Sequence, residues 1–330
     1  MVETQVRAAD RVAHHEEMKT AGGVRIGWAE LPQAVRAAVE DALGSPVVAA
    51  VSQPGGFSPG TADRVVTADG RRAFVKAVGG SLDETALALH RAEARITAAL
   101  PADAPAPRLL ARYDDEDWTA LVLEDVDGRH PTLPWTPDEV SAVFAALAEL
   151  AEATTPCRLP VPTAEDCCGP DLAGWGRIAA DRPAGLDPWA AAHLGELQAA
   201  ADRARACLDG QTLVHADLRA DNLLRRGDGS VVLVDWPHAC RGPAWLDRLL
   251  LCVNLLLYGD VDVDPLISKL SADTDVDEDL LVDVLAGYAG YFVDRARLPP
   301  PPALPTVRRF QQEQADALLP WVQRRLTEAC

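Results

Sequence analysis

The segment Leu213–Trp236 constrains the fold of this chain more than any other stretch. It contains two short runs rich in Leu and Val, Asn222–Arg226 and Ser230–Val234, on either side of the turn residues GDG. That pattern is typical of a β-hairpin. A hairpin closed on this turn would place Asn222 and Asp235 nearly opposite each other at its open end. Their carboxamide and carboxylate oxygens are hard ligands that suit Mg²⁺ shared with substrate phosphates.

A third polar residue, Asp217, lies five positions before Asn222, in the loop that enters the hairpin. His215, Asp217 and Asn222 have the H-x-D-x-x-x-x-N spacing of a kinase catalytic loop, and Asp235 then stands where a metal-binding aspartate is expected. The alternative is an ordinary hairpin with a polar entrance, because aspartate and asparagine are common in turns. The complete set, in order and next to an apolar strand, favours phosphoryl transfer.

A glycine-rich stretch, QPGGFSPGT, precedes a second predicted hairpin in the first third of the chain. It follows the apolar run Val47–Ser52, and two candidate strands, Ala62–Ala68 and Arg72–Val78, come after it. Backbone N–H groups in such a turn can approach phosphates closely. The stretch is neither a Walker A loop nor a dinucleotide-binding fingerprint. The candidate nucleotide-binding residues within it are Gly55, Gly56 and Ser58.

Lys76 lies inside the apolar run Ala73–Ala77. An interior lysine is costly unless an anion pairs with it. The predicted helix over residues 82–100 offers Glu93 and Glu84 as partners. Glu93 is favoured because it lies in the apolar-periodic part of the helix, whereas an acid in the first turn simply suits the helix dipole. The alternative for Lys76 is a solvent-exposed lysine on an edge strand.

Together these motifs resemble the aminoglycoside phosphotransferase and choline-kinase-like family, the small-molecule branch of the protein-kinase-like fold. The resemblance spans roughly residues 30–260 and includes the strand LVLED and the segments VHADLRADN and VLVDW. It implies an α+β fold of two lobes, with ATP or GTP bound between them. It further implies that Asp217 is the catalytic base, that Asn222 and Asp235 bind Mg²⁺, and that Lys76 contacts the phosphates. Backbone groups of the hinge, from Glu124 to Val126, would contact the purine.

Three features depart from the family pattern. Ala216 replaces the glycine common before the catalytic aspartate, and we expect a slight backbone adjustment there. Trp236-Pro237 follows the second aspartate, which argues against a mobile protein-kinase activation segment because proline fixes the backbone. Arg219, two residues after Asp217, is either a catalytic contact to the transferred phosphate or a surface arginine.

The sequence predicts three regions. Residues 1–27 form a tail or loose helix, and residues 28–126 form the nucleotide-binding lobe. This lobe contains a helix and a five-stranded antiparallel sheet, completed by Leu109–Tyr113 and Trp118–Glu124. Residues 127–330 form a larger, mostly helical catalytic and substrate lobe.

Several finer expectations concern the helical lobe. Thr136 and Glu139 form a capping-box pattern at a helix start. Residues 155–188 are rich in proline and glycine, so we expect an irregular segment that could fold over the substrate. The run Ala244–Leu257 predicts a buried central helix. Asp247 on it either supports the catalytic loop through hydrogen bonds, which is the favoured interpretation, or lies on a solvent-exposed face.

Composition excludes several classes of partner. The chain has 330 residues and a formal net charge of −19, which disfavours nucleic acid and anionic membrane surfaces. No apolar run is long enough for a membrane span, and the polar N-terminus is no signal peptide, so a cytoplasmic location is expected. Seven cysteines without C-x-x-C spacing indicate reduced thiols.

The resemblance leaves the acceptor open. We expect a Mg²⁺- and nucleotide-dependent kinase of a small-molecule hydroxyl, acting as a monomer or homodimer. An aminoglycoside or other cationic antibiotic is one acceptor class, and choline, homoserine or fructosamine are others. A nucleotide-binding regulator without turnover is the alternative function. The acidic segment 260–283 is either solvated or one wall of a pocket for a cation.

Overall fold

The computed structural model describes residues 25–53, 59–259, 261–302 and 304–328. Most of the predicted tail, together with Gly55, Gly56 and Ser58, lies outside these ranges. Within them, no helix combines the length and apolarity needed to cross a bilayer. The six cysteines in these ranges are free thiols.

A five-stranded antiparallel sheet forms the N-terminal part of the structure, as the sequence predicts. Its strands are β1 (Val47–Ser52), β2 (Thr61–Thr67), β3 (Arg72–Gly79), β4 (Leu109–Asp114) and β5 (Trp118–Leu123). The spatial order is β1-β2-β3-β5-β4. Lys76 on β3 pairs in register with Ala62 on one side and with Leu121 on the other. Lys76 is therefore on the central strand, and the edge-strand alternative is wrong.

Two helices cover opposite faces of this sheet, because successive strand residues point to opposite sides. Helix α1 (Gln33–Leu43) buries Val35 and Val39 against one face, together with Val75 and Val122. Helix α2 (Glu84–Ala99) packs on the face that carries Leu121 and Leu123. The second face is also the face of Lys76, so α2 can supply its partner.

The rest of the chain is mostly helical. The helices are α3 (Pro137–Thr154), α4 (Ala164–Leu172), α5 (Gly174–Asp181), α6 (Pro188–Ala192), α7 (Leu194–Arg205), α8 (Leu246–Tyr258), α9 (Asp264–Thr274), α10 (Glu278–Ala296) and α11 (Val307–Glu328). Five short strands accompany them: β6 (Gly128–Arg129), β7 (Thr212–Val214), β8 (Leu223–Arg226), β9 (Val231–Leu233) and β10 (Cys240–Gly242). The predicted α+β architecture is confirmed. The lobe boundary after residue 126, between β5 and β6, stays a prediction.

Two local expectations hold only in part. Within the segment 155–188, residues 155–163 and 182–187 contain no helix, but 164–172 and 174–181 are helical because their apolar residues are buried: Trp175 is fully buried and donates to the Ala286 carbonyl at 2.7 Å. The capping box is only half formed. Thr136 accepts the Glu139 N–H, but the Glu139 carboxylate binds Arg129 at 2.7 Å, since a buried carboxylate gains more from a charged donor.

Helices α5 and α10 meet at a close approach that tolerates only glycine. A Cβ atom on Gly290 would lie 2.5 Å from the Trp175 ring, and one on Gly174 would lie 2.3 Å from the Gly290 carbonyl. The indole ring and the facing backbone cannot move apart without disturbing the surrounding core. Close packing of these helices therefore depends on both glycines.

We expect Gly290→Ala to lower the free energy of unfolding by about 1–3 kcal/mol, because the added methyl overpacks the Trp175 site. Urea denaturation followed by circular dichroism measures this change. Gly195→Ala on α7 is the matched control, since nothing lies within 4 Å of its Cβ position. The control should gain up to about 1 kcal/mol from helix propensity. Equal stability changes in the two variants would contradict the packing argument.

Candidate active site

Lys76 lies between two carboxylates from different parts of the chain. Its Nζ is 2.8 and 2.9 Å from the Glu93 carboxylate oxygens and 2.6 Å from Asp235 Oδ1. The sequence prediction of Glu93, rather than Glu84, as the lysine's partner therefore matches the structure. Burial opposes a charged lysine, but Asp235 and Glu93 outweigh it and raise the pKa of Lys76. Burial likewise opposes the charged form of Asp235, but Lys76 keeps the pKa of that carboxyl well below its usual range.

Asp217 and Asn222 are in direct contact at the entrance of the β8–β9 hairpin. Asn222 Nδ2 donates to the Asp217 carbonyl at 2.8 Å and to Asp217 Oδ2 at 3.1 Å. The Asn222 carboxamide oxygen is thus the atom that could bind a metal ion. Val234 N–H donates to the Asn222 carbonyl at 2.9 Å, which closes the hairpin and places Asp235 beside it.

Arg219 is part of this cluster, so the surface alternative is wrong. Its Nη1 lies 2.9 Å from both oxygens of Asp217, and its Nε lies 3.0 Å from Asp221. Only 15% of its side chain is exposed. Burial opposes its charge, but the two aspartates outweigh burial and raise the pKa of Arg219. The guanidinium therefore fixes the orientation of the Asp217 carboxylate.

Asp247 on α8 holds the backbone of the loop that carries Asp217, as the sequence predicts. Its buried carboxylate accepts the His215 N–H at 2.7 Å and the Ala216 N–H at 2.9 Å. His215 is also buried, which lowers its pKa. Its Nδ1 accepts the Asp217 N–H at 3.3 Å and its Nε2 donates to the Val234 carbonyl at 3.0 Å. His215 is thus a neutral scaffold that links the loop to the hairpin.

Ala216 adopts a backbone conformation that favours glycine. Its φ is +62°, in the left-handed region. The alanine therefore takes a strained conformation, and the expected adjustment relative to a glycine stays a prediction. Such a conformation costs a non-glycine residue about 1–2 kcal/mol. The bond from the Ala216 N–H to Asp247 offsets part of that cost.

The hinge leaves fewer backbone groups free for hydrogen bonds to a purine than the sequence suggests. Glu124 N–H donates to the Arg108 carbonyl at 2.9 Å, and the Glu124 carboxylate pairs with Arg108 and Arg226. The Val126 carbonyl accepts from Arg64 at 3.4 Å. The Glu124 carbonyl and the Val126 N–H are the remaining candidates for hydrogen bonds to a purine.

A residue from the predicted tail also reaches this site. The backbone of Arg25 forms a parallel bridge with Gly60 at the end of the glycine-rich turn, and Ile26 N–H donates to the Gly60 carbonyl at 3.3 Å. Burial lowers the pKa of Arg25, while the charges of Asp235 and Asp63 raise it. The sequence offered no signal for Arg25, because a lone arginine near the N-terminus has no pattern.

A cavity of about 280 Å³ opens beside Asp217 and Arg219. Its walls come from α4, α8, α10 and α11, so they are distant in sequence. They include a carboxylate, three aromatic rings and two amides that sequence reasoning missed: Asp171, Tyr288, Tyr291, Phe310, Gln311 and Gln314. None belongs to a local motif, and only the packing of the helices brings them together.

The acidic segment 260–283 is mostly solvated, which is one of its two expected roles: Asp262, Asp273, Asp275, Asp277 and Asp279 are exposed. Asp264 pairs with Arg324 and Arg325 of α11, and Asp283 pairs with Arg203 of α7. Arginines therefore balance part of the negative charge of this segment, and water solvates the rest. Its acids are also absent from the cavity walls formed by the described residues.

We expect Ala216→Gly to raise the free energy of unfolding by about 1 kcal/mol, because glycine adopts positive φ without steric cost. Thermal and urea denaturation measure the gain. Ala98→Gly, the same exchange at an exposed position of α2, should instead cost about 1 kcal/mol through lost helix propensity. A loss of stability in both variants would show that Ala216 is unstrained.

The fold is shared with phosphotransferases of known structure. An aminoglycoside phosphotransferase from Alicyclobacillus acidocaldarius is 18% identical, with a TM-score of 0.52, over 90% of this chain and 97% of its own. A macrolide 2'-phosphotransferase from Brachybacterium faecium is 14% identical, with a TM-score of 0.53, over 87% and 98%. A thermostable mutant of aminoglycoside phosphotransferase APH(4)-Ia, in ternary complex with AMP-PNP and hygromycin B, is 14% identical with a TM-score of 0.53, over 89% and 96%.

No curated protein sequence matches this chain. At these identities the solved structures establish the fold alone. A family model described as the phosphotransferase enzyme family, APH, matches residues 54–300. That match spans the glycine-rich turn, the Lys76 strand, the loop that carries Asp217 and the hairpin, and it confirms the expectation of a phosphotransferase. The chain belongs to the APH phosphotransferase enzyme family.

Proposed function

We propose that this protein transfers the γ-phosphate of ATP or GTP to a hydroxyl group of a small molecule. The observation that carries the proposal is the 2.6 Å contact between Lys76 Nζ and Asp235 Oδ1. It joins the lysine on the sheet, which suits nucleotide phosphates, to the aspartate of the hairpin, which suits a metal ion. Asp217, on the same hairpin entrance, faces a cavity that could hold the acceptor.

On the nucleotide side, Lys76 would neutralise phosphate charge, and Glu93 would keep its ammonium group in place. The glycine-rich turn with Gly55, Gly56 and Ser58 would offer backbone N–H groups to the phosphates. The purine would lie against the hinge, where the Glu124 carbonyl and the Val126 N–H are available.

Asn222 and Asp235 would hold Mg²⁺. A carboxamide oxygen and a carboxylate are suitable hard donors, and Mg²⁺ commonly uses one or two protein carboxylates and completes its coordination with phosphates and water. The described residues contain no cluster of three or more His, Cys, Asp or Glu that could hold a metal ion alone, which fits such a shared site. When bound, the ion would neutralise charge on the transferred phosphate.

Asp217 would accept a hydrogen bond from the acceptor hydroxyl and aim it at the phosphate. Arg219 would hold the Asp217 carboxylate in that orientation and place positive charge near the transferred group. Alignment and charge stabilisation would supply most of the acceleration, and proton removal by Asp217 a smaller part. The neutral His215 would take no part in proton transfer.

We expect Asp217→Asn to lower turnover by orders of magnitude, on the order of the 10²–10⁴-fold contributed by a positioned base. Nucleotide affinity should stay within a few-fold, because Lys76, Glu93 and Asp235 are untouched. A mass-shift assay for phosphorylated product and calorimetric titration with ATP and GTP measure the two quantities. The control, Asp228→Asn, makes the same exchange in the exposed hairpin turn. Full turnover in Asp217→Asn would refute the proposal, and nucleotide binding without any product from wild type would favour the silent regulator.

A further inference from the structure

The walls of the cavity beside Asp217 consist mainly of apolar, aromatic and amide side chains. Tyr288, Tyr291 and Phe310 line it, and Gln311 and Gln314 add neutral hydrogen-bonding groups. Such walls suit a flat or apolar molecular body with few polar groups. At about 280 Å³, the cavity lies just below the ~300–1,000 Å³ typical of drug-sized ligands, so it would enclose a single ring with its substituents.

The negative charge inside the cavity is small despite the acidity of the whole chain. Asp171 and Asp217 are the carboxylates among its described lining residues. Arg219 binds both oxygens of Asp217 at 2.9 Å and neutralises it. Asp171 is therefore the one carboxylate in these walls that an ammonium group could pair with.

Asp171 occupies an unfavourable position for a charged group. It lies in the last turn of α4, where the helix dipole disfavours an anion. No described residue forms a hydrogen bond or an ion pair within 4 Å with its carboxylate. Burial raises its pKa to about 6, and Arg295, Arg177 and His238 only partly oppose this from a distance. A carboxylate kept at such a cost is a candidate for ligand binding.

Tyr291 lies close enough to Asp171 and Asp217 for the charges of both to influence its pKa. Burial, followed by the charge of Asp171, raises the pKa of Tyr291 to about 12, and Asp217 contributes to the same shift. The ring therefore lies within electrostatic range of both carboxylates. The Arg295 guanidinium lies 5.6 Å from the ring centroid, so the ring already makes a cation–π contact.

We propose that the acceptor carries one protonated amine with N–H donors on a flat or apolar body that also bears the hydroxyl. Its ammonium would bind Asp171, its body would pack against Tyr288, Tyr291 and Phe310, and its hydroxyl would lie at Asp217. This inference rests on the proposed phosphoryl transfer, whose acceptor it specifies. A polycation would place further ammonium groups in the cavity without carboxylates, and a neutral acceptor would leave Asp171 desolvated and unpaired.

Binding of matched probes to the full-length protein tests this assignment without requiring turnover. We choose 2-amino-1-phenylethanol, its neutral isostere 1-phenylpropan-1-ol, and the polycation hygromycin B, each titrated by ligand-observed NMR. The amino alcohol should bind about ten- to one-hundred-fold more tightly than the isostere, as expected for one charge-assisted hydrogen bond. Equal binding of the amine and its isostere, or preferred binding of hygromycin B, overturns the proposal.

Asp171→Asn should reduce the preference for the amine to less than about three-fold. Glu165→Gln is the matched control, because it removes one charge from the same helix at an exposed position paired with Arg205. This control should keep the preference. Asp171→Asn should also leave the melting temperature unchanged or raise it, since an amide is easier to bury than a carboxylate. A fall of several degrees would show that Asp171 is structural and overturn the assignment.

The pH dependence of the affinity for the amino alcohol provides a further test. Below a pH of about 6 Asp171 gains a proton in the free protein, so affinity for the amino alcohol should weaken between pH 7.5 and 5. The titratable groups facing Asp171 are Cys167 on α4, Arg177 on α5, Tyr288, Tyr291 and Arg295 on α10, and His238 before β10. Asp171→Asn should abolish the pH dependence, and His238→Gln should retain it; the reverse pattern overturns the assignment.

The phosphorylation assay separates this inference from the proposed function. Amine-selective binding that depends on Asp171, without product from any amino alcohol in the presence of ATP or GTP, would support the binding site and refute phosphoryl transfer. Phosphorylation of neutral or polycationic acceptors, unaffected by Asp171→Asn, would support phosphoryl transfer and overturn the acceptor assignment.

Discussion

The arrangement of the site depends on the ion pairs that the Lys76 ammonium group forms with Glu93 and Asp235. Lys76 lies on the central strand of the sheet, while Glu93 comes from a helix behind that strand and Asp235 from a hairpin more than 150 residues later in the chain. All three charges are largely withdrawn from water, so the two carboxylates are stable only while the lysine pairs with them. Removing the lysine charge would leave two buried carboxylates without this cation, which is far costlier than the net gain from the intact cluster. The same three contacts therefore fix the helix and the hairpin relative to the sheet.

A second constraint fixes the loop that carries Asp217. Its backbone makes a left-handed turn at Ala216, where the side chain is strained, and Asp247 compensates by accepting two consecutive N–H groups. His215 then ties the loop to the hairpin through both ring nitrogens. Because the carboxylate of Asp217 is also clamped by Arg219, both its backbone and its side chain are fixed before any substrate arrives. Such preorganisation is what positional catalysis requires.

The sequence predicts those parts of the site whose residues have a characteristic local spacing. Asp217, Asn222 and Asp235 lie within nineteen residues of one another, and the need of a buried lysine for an anion pointed to Glu93. It could not reach Asp171 or Tyr291, because these belong to helices more than 100 residues apart that meet only through packing. It also misjudged residues 164–181, where proline and glycine suggested irregular structure. Burial of Trp175 and close packing at Gly174 favour helices there instead.

The charge of the chain shows why a global property is a poor guide to a binding site. A net charge of −19 suggests attraction for polycations. Yet acids such as Asp264 and Asp283 pair with arginines of neighbouring helices, and those of the acidic segment lie outside the cavity walls. Long-range attraction raises the rate at which cations arrive, but salt largely screens it at separations beyond about a Debye length. Selection among them depends on the groups that lose water on contact. In this cavity that group is Asp171. A buried carboxylate gains from pairing with one ammonium group, whereas a second ammonium group would find no further carboxylate free of an arginine in the described walls.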